Sequence, residues 1–193
     1  MIRTVPIFQT FVAAAAAGLL LLSATPVVRA QPTQGVGKDE IVIGTIQDLS
    51  GPVSPFGKAA RNGIQLRVDE INEQGGIHGR KIRLIVEDNA YDPKRAVLAA
   101  QKLVNQDKVF LIASHIGTPM NNAAMPVMFE KGVINFFPLS AGREMYDPPN
   151  KLKFASVASY YDTMRMNVAR LYKEKGAKNA CILYQDDNYG LEV

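Results

Sequence analysis

The chain has few of the residues that form disulfides and metal sites, and it lacks the glycine-rich motifs that bind nucleotide phosphates. Cys181 is the only cysteine among 193 residues, so no disulfide can form within the chain and its core must hold itself together. His78 and His115 are the only histidines, and without a histidine and cysteine cluster we expect no metal. Neither G-x-G-x-x-G after the first strand nor G-x-x-x-x-G-K-[ST] occurs, so we expect no nucleotide cofactor.

Strong charge of one sign is also missing. The sequence has 22 basic and 18 acidic residues, and two of the basic residues, Arg3 and Arg29, lie in the first thirty positions. The remainder therefore carries 20 basic and 18 acidic residues, a net charge of +2. A charge this small argues against a nucleic-acid partner and against binding to an anionic membrane surface.

Residues 1–30 have the pattern of a secretory signal peptide. Arg3 precedes the apolar run FVAAAAAGLLLL, and the small residues Val28 and Ala30 fit cleavage after Ala30. The run is too short for a bilayer, which needs about 20 residues, although an uncleaved anchor is the alternative. The pattern predicts export to the periplasm, with residues 31–40 as a linker.

Beyond residue 40, short β-branched runs alternate with helical patterns. EIVIGTIQDL, KIRLIVED, VFLIAS and GVINFF predict strands, because β-branched residues dominate each short run. Alternation of this kind predicts βαβ units, and hence an α/β fold with a parallel sheet flanked by helices. The predicted apolar helix faces are Ala60, Ile64, Val68 and Ile71 in the first helix and Ala96, Ala100, Leu103 and Val104 in the second.

A polar residue followed by proline marks each expected helix start. Ser54-Pro55, Asp92-Pro93 and Thr118-Pro119 each fit an N-cap residue followed by proline at the first helical position. Pro126 lies inside the third predicted helix and predicts a kink or an early end there.

The last part of the sequence predicts elements that are left unfinished. YYDTMRMNVARLYKEKG has the pattern of a helix, and NACILYQDD that of a strand in which Cys181 is buried. DNYGLEV then begins a helix that the sequence does not complete. We therefore expect the natural protein to continue past Val193.

The stretch SHIGTPMNN, from Ser114 to Asn122, admits two kinds of site. A hydrolase is disfavoured, because neighbouring strand residues such as Ser114 and His115 point to opposite faces, and no G-x-S-x-G elbow occurs. A helix starting at Thr118 would instead aim the free N–H groups of Met120 and Asn121 at the strand ends, where they suit a carboxylate.

Simpler roles remain open for the polar residues of these loops. Thr118 could do no more than cap its helix. Ser140, in the next loop, could face the same point as Thr118 or be an ordinary turn serine.

Several motifs resemble one known family. LSGP, INEQGGIHGRKI, the DP after the second strand and QDDNYG are similar to the periplasmic leucine/isoleucine/valine-binding proteins, the solute receptors of branched-chain amino-acid-type ABC transporters. The resemblance implies the type I periplasmic-binding-protein fold, with two lobes that close on a ligand. Residues 41–153 would form lobe one, and residues 154–193 the crossing strand and an incomplete start of lobe two.

The resemblance also implies a set of ligand-binding residues. Thr118 would bind the ligand carboxylate with backbone from Leu139, Ser140 and Ala141, while Tyr189 covers the ligand. The aromatic Phe56 would contact the ligand, and His115 and Tyr91 would be possible parts of the wall.

Two features, at three positions, depart from the family pattern. Ala141 replaces a threonine that helps to hold an amino-acid ammonium, and Tyr91 and Gly117 stand where some members have a disulfide.

The sequence thus predicts a binding protein without enzymatic activity. It would be the extracytoplasmic solute-binding component of an ABC importer, monomeric at full length, with an inner-membrane permease and its ATPase subunits as partners. The ligand would be a branched-chain or related amino acid, or an aromatic or other organic acid. A ligand-sensing receptor or regulator domain of the same fold is the alternative.

Overall fold

The computed structural model of the chain describes residues 33–192, in which five parallel strands form one sheet. The predicted signal peptide lies outside these residues. The strand order is β2-β1-β3-β4-β5, and each neighbouring pair is parallel. The strands are β1 (Glu40–Gln47), β2 (Lys81–Asp88), β3 (Leu111–Ala113), β4 (Ile134–Phe136) and β5 (Lys153–Phe154).

Helices connect the strands and flank the sheet, as the alternating pattern predicted. They are α1 (Ser54–Glu73), α2 (Pro93–Asn105), α3 (Thr118–Glu130) and α4 (Tyr160–Glu174), with short 3₁₀ helices at Arg143–Met145 and Gly190–Glu192. Helix α3 continues through Pro126, so the early end expected at that proline is wrong. No helix within residues 33–192 has the length and apolar character that crossing a membrane requires.

The main core lies between one face of the sheet and helices α2 and α3. Val42, Ile46 and Ile112 supply the sheet side of a buried cluster. The helix side consists of Ala99, Ala100, Leu103 and Val104 of α2 and Ala124 and Met128 of α3. Helix α1 packs against β1 and β2, and none of its residues belongs to this cluster, so it covers the other face. On α1 only Gly57 and Val68 are fully buried, so its predicted apolar face is mostly half-buried.

Two of the three predicted N-caps are wrong. Asp92 caps α2 as predicted, because its Oδ1 accepts the N–H of Arg95 at 2.9 Å. Helices α1 and α3 instead begin at Ser54 and Thr118 themselves, and neither has a side-chain cap. At α1 the buried carboxylate of Asp48, at the end of β1, accepts the loop N–H groups that precede the helix.

The segment NACILYQDD does not form the predicted strand. Its backbone is irregular, Cys181 is exposed rather than buried, and Leu183 is 99% exposed. The physical reason is that strand propensity is realised by pairing, and within residues 33–192 no strand lies beside this segment.

We expect the α2 face to dominate the stability of the sheet. Leu103→Ala should lower the free energy of unfolding by about 2–5 kcal/mol, because Leu103 is fully buried and its truncation leaves a cavity. Leu98→Ala is the matched control on the same helix, since Leu98 is 63% exposed, and should change stability by less than about 0.5 kcal/mol. Urea unfolding followed by circular dichroism measures both, and equal losses would contradict this core.

Candidate functional site

A cavity opens at the carboxyl ends of the strands, where ligands bind in open parallel sheets. Its volume is about 460 Å³. The lining comes from the loops after β1, β2, β3, β4 and β5, from the starts of α1, α3 and α4, and from Tyr189. The lining residues are Val53, Phe56, Tyr91, Ile116, Gly117, Thr118, Pro138, Leu139, Ser140, Ala141, Ser156, Val157, Tyr160 and Tyr189.

Other cavities in the described part of the chain lack this placement. One of about 380 Å³ lies among charged side chains, including Arg143, Asp147 and Glu192. Another of about 460 Å³ is an apolar groove between α4 and the irregular segment at Cys181. Neither is lined by the loops after β1, β2 and β3, so the strand-end cavity is the better candidate for a site.

Backbone pairing beyond β3 and β4 brings two hydroxyl groups together. The Leu139 N–H donates to the His115 carbonyl at 2.9 Å, and the Gly117 N–H donates to the Leu139 carbonyl at 3.2 Å. This continues the parallel pairing past the ends of the strands. As a result, Thr118 Oγ1 and Ser140 Oγ lie 2.8 Å apart, and both residues are buried.

This hydroxyl pair retains one hydrogen that it can donate outward. One hydroxyl donates to the other, so the hydrogen of the accepting hydroxyl remains free. The N–H of Gly142 donates to Ser140 Oγ at 3.2 Å and uses acceptor capacity rather than that hydrogen. The pair is therefore suited to bind an acceptor such as a carboxylate oxygen.

Helix α3 is the helix at this cavity whose N-terminus has no anion of its own. Asp48 accepts the Val53 N–H ahead of α1, and Ser159 caps α4, which has Asp162 in its first turn. Helix α3 has neither a side-chain cap nor an acidic residue in its first turn. None of the lining residues, all within 33–192, is charged. The partial positive charge at Thr118 is thus left uncompensated by these side chains.

Aromatic rings form much of the remaining wall. Tyr160 and Tyr189 pack edge to face with ring centroids 5.1 Å apart. Tyr91 is half-buried, and burial raises the pKa of its phenol above the ordinary value. Phe56 is 68% exposed at the rim, so its ring is available to an incoming molecule.

The cavity gathers most of the residues proposed from sequence. Phe56, Tyr91, Thr118, Leu139, Ser140, Ala141 and Tyr189 all line it. Sequence reasoning missed Ser156 and Tyr160. The N-cap at Ser159 was the available signal, because it places Tyr160 at the start of a helix that follows the last strand.

His115 does not lie on the cavity wall, contrary to the prediction. Its side chain is fully buried behind the wall, and neither ring nitrogen has a hydrogen-bond partner among the described residues. Because the chain turns at Ser114, which has a φ of +51°, the ring points into the protein rather than into the cavity. Burial lowers the pKa of the imidazole to about 3, so His115 is neutral at physiological pH.

The donors predicted at the start of α3 are only partly free. The Asn121 N–H donates to the Gly117 carbonyl at 3.0 Å, so it cannot serve a ligand as predicted. The Asn121 side chain also points inward and donates to the carbonyls of His115 and Gly117 at 2.8 Å each. Asn121 therefore holds the loop after β3 in shape.

The parallel sheet flanked by helices, with a cavity at its strand ends, is that of the type I periplasmic-binding fold. A family model described as periplasmic binding protein matches residues 40–193. The chain belongs to this family, within which its relatives are the leucine/isoleucine/valine-binding proteins.

Individual relatives share sequence and fold over part of their length. A leucine-, isoleucine-, valine-, threonine-, and alanine-binding protein from Pseudomonas aeruginosa is 29% identical over 157 residues, which cover 79% of this chain and 40% of the relative. The structure of a fatty acid ABC transporter substrate-binding protein from Thermomonospora curvata has a TM-score of 0.74 at 28% identity, covering 84% of this chain and 41% of that chain.

A further structure supports the fold alone. A possible leucine/isoleucine/valine-binding protein from Rhodopirellula baltica has a TM-score of 0.74 at 23% identity, covering 85% of this chain and 43% of that chain. This chain thus spans less than half the length of each of these relatives.

Acid should destabilise the chain through His115. The unfolded chain takes up a proton near the ordinary pKa of 6.5, whereas folded His115 stays neutral down to about pH 3. Because only the unfolded chain gains this proton, the free energy of unfolding is unaffected by protonation of His115 above pH 6.5. It falls as the pH drops below 6.5, by at most about 1.4 kcal/mol per pH unit. Urea unfolding between pH 7 and pH 4 should show a smaller loss in His115→Leu than in the wild type.

The control for this measurement is the other histidine. His78 is exposed in a turn with a φ of +50°, which asparagine tolerates. His78→Asn is measured over the same pH range, and a His115→Leu curve that runs parallel to the wild-type curve would contradict the buried neutral imidazole.

Proposed function

We propose that the chain is the ligand-capturing part of a solute receptor that binds a small carboxylate-bearing molecule in the strand-end cavity. The observation that carries this proposal is the start of α3, which lies against the cavity without an anion of its own. A ligand carboxylate at Thr118 would accept the free hydrogen of the Thr118–Ser140 pair and would compensate the positive end of the helix.

The ligands named for the relatives fit this chemistry. The Pseudomonas aeruginosa relative is named for amino acids and the Thermomonospora curvata protein for fatty acids. Amino acids and fatty acids differ in size, polarity and net charge, but both carry a carboxylate. The proposal therefore assigns Thr118 and Ser140 to that shared group and leaves the rest of the cavity to select among carboxylates.

We infer that an acid without an ammonium group binds at least as well as an amino acid. Ala141 has no hydroxyl for an ammonium, and its carbonyl already accepts the Tyr160 N–H at 2.9 Å. Among the described lining residues there is no carboxylate that could pair with an ammonium. The tyrosines and Phe56 offer an apolar, aromatic surface instead, which suits an aromatic or other organic acid.

The same proposal covers the cellular setting. Export through residues 1–30 would place the receptor in the periplasm, where it would deliver its ligand to an inner-membrane ABC permease driven by ATPase subunits. Residues 41–153 would form the first lobe and residues 154–193 the start of the second. Tyr160 and Tyr189 would then close over a ligand held at Thr118, as hinged receptors do.

Replacing the Thr118 hydroxyl should weaken carboxylate binding while leaving the fold intact. Thr118→Val has nearly the same shape but cannot donate, and we expect at least about a tenfold loss of affinity for sodium benzoate, because hydrogen bonds to charged groups contribute about 1.5–3 kcal/mol. Thr163→Val is the matched control, since Thr163 is exposed on α4. Isothermal titration calorimetry or ligand-observed NMR would measure the affinities.

Two pairs of matched ligands complete this test. Benzamide has the shape of benzoate without its charge, and it should bind much more weakly if the helix end selects an anion. L-Leucine and 4-methylpentanoate differ by the amino group alone, and 4-methylpentanoate should bind at least as tightly. Stabilisation by leucine without stabilisation by benzoate or 4-methylpentanoate would refute the preference for acids that lack an ammonium.

A further inference from the structure

The turn after β2 contains two consecutive residues in a conformation that glycine usually adopts. Ala90 has a φ of +47° and Tyr91 a φ of +59°. Side chains with a Cβ are disfavoured in this region, and a bulky aromatic residue there is an outlier. Such strain persists only where the surrounding structure imposes it.

Side chains at the end of β2 impose this conformation. Asp88 Oδ1 accepts the Ala90 N–H at 2.9 Å, and Asn89 Oδ1 accepts the Tyr91 N–H at 2.9 Å. The Asn89 carbonyl accepts the Asp92 N–H at 2.9 Å and closes the turn. Asn89 is fully buried, so this scaffold is fixed within the protein rather than in solvent.

Asp88 also fixes the turn to the loop after β1. Its carboxylate accepts the Leu49 N–H at 2.9 Å and the Ser50 hydroxyl at 2.5 Å, and it pairs with Arg95 at 3.2 Å. Burial alone would raise the pKa of Asp88, but the hydrogen bonds and Arg95 lower it below its ordinary value. The carboxylate therefore remains ionised and binds both loops at neutral pH.

The turn carries Tyr91 across the end of β1. The strand order places β1 between β2 and β3, so the loops after β2 and β3 do not follow neighbouring strands. Nevertheless, a Cβ built on Gly117 would lie 3.0 Å from Tyr91 Cε2, so the Tyr91 ring covers Gly117. On the other side of the turn, a Cβ on Gly51 would collide with the Ala90 carbonyl. Glycines in both flanking loops thus make room for the turn.

We propose that residues 88–91 form a strap that ties the loop after β2 to the loop after β3, and that the Tyr91 ring held by this strap determines ligand selectivity. The role in selectivity rests on the proposed function, because Tyr91 lines the same cavity as Thr118. A flat ring at a fixed position favours a planar ligand, which can stack against it, over a branched aliphatic one.

Hydrogen exchange of the ligand-free chain tests the strap directly. Without the ring, the Ile116 and Gly117 amides, which donate to Ile46 and Leu139, lose their cover. Tyr91→Ala should speed their exchange at least about tenfold, since exchange follows local opening. Tyr91→Phe restores the ring and should restore protection. Tyr172→Ala removes an exposed tyrosine from α4 and is the control for a general loss of stability.

The result that would overturn the strap is equally direct. Unchanged exchange at both amides in Tyr91→Ala, or the same acceleration in Tyr172→Ala, would show that the ring does not hold the loop after β3. A Tyr91→Phe variant that exchanges as fast as Tyr91→Ala would show that the hydroxyl, not the ring, provides the protection.

Selectivity is tested with two carboxylates of equal charge. The ratio of the dissociation constants of 4-methylpentanoate and benzoate should fall by about threefold to tenfold in Tyr91→Ala, and Tyr91→Phe should restore it. An unchanged ratio, with both ligands still bound, overturns the role in selectivity. If the wild type binds neither probe, the proposed function fails and the role in selectivity with it, whereas hydrogen exchange alone decides the strap.

Discussion

The parallel pairing of β3 with β4 is the interaction on which the candidate site depends. Because the two strands run in the same direction, their carboxyl ends lie at one edge, and backbone hydrogen bonds continue the pairing as far as Leu139. This pairing brings the hydroxyls of Thr118 and Ser140 to 2.8 Å, although the residues are 22 positions apart in sequence. The backbone pairing thus sets the position of the two hydroxyl groups.

The helix N-termini at this edge of the sheet differ in whether an acidic side chain compensates their partial positive charge. Asp48, Asp92 and Asp162 each supply an acidic side chain at or near the start of a helix, so three of the four α-helix N-termini within residues 33–192 are compensated by the protein itself. The fourth, at Thr118, is buried with a hydroxyl partner but no anion. An uncompensated helix end costs stability, and proteins commonly accept such a cost where a ligand supplies the missing group.

Elements with one clear period were predictable from sequence, whereas contacts between distant loops were not. The sequence predicted β2 over its whole length because β-branched residues dominate the run, and it predicted the buried face of α2 because apolar residues recur there at helical spacing. The sequence left open whether Ser140 faces Thr118 or is an ordinary turn serine, and the structure brings the two hydroxyls to 2.8 Å. The N-caps predicted at Ser54 and Thr118 are wrong, since Asp48 accepts the Val53 N–H ahead of α1 and the Thr118 hydroxyl pairs with Ser140.

The errors at His115 and Cys181 have the same origin. Both residues were assigned from their neighbours in sequence, but the left-handed turn at Ser114 directs His115 inward. Cys181 lies in a segment that has strand propensity but no paired strand among residues 33–192, so it stays exposed. Burial is a property of the surroundings, and a short motif does not contain them.

We propose that the cavity favours a ligand with one negative charge over one with two opposite charges. A carboxylate at Thr118 would meet the free hydrogen of the hydroxyl pair and the positive end of α3, so its loss of hydration is offset. An ammonium in the same cavity would meet tyrosine rings and the Ala141 carbonyl, which is already engaged with the Tyr160 N–H. Rings can attract a cation, but replacing the hydration shell of an ammonium requires several acceptors. The difference between these two ends of a bound amino acid is the physical reason to expect an organic acid.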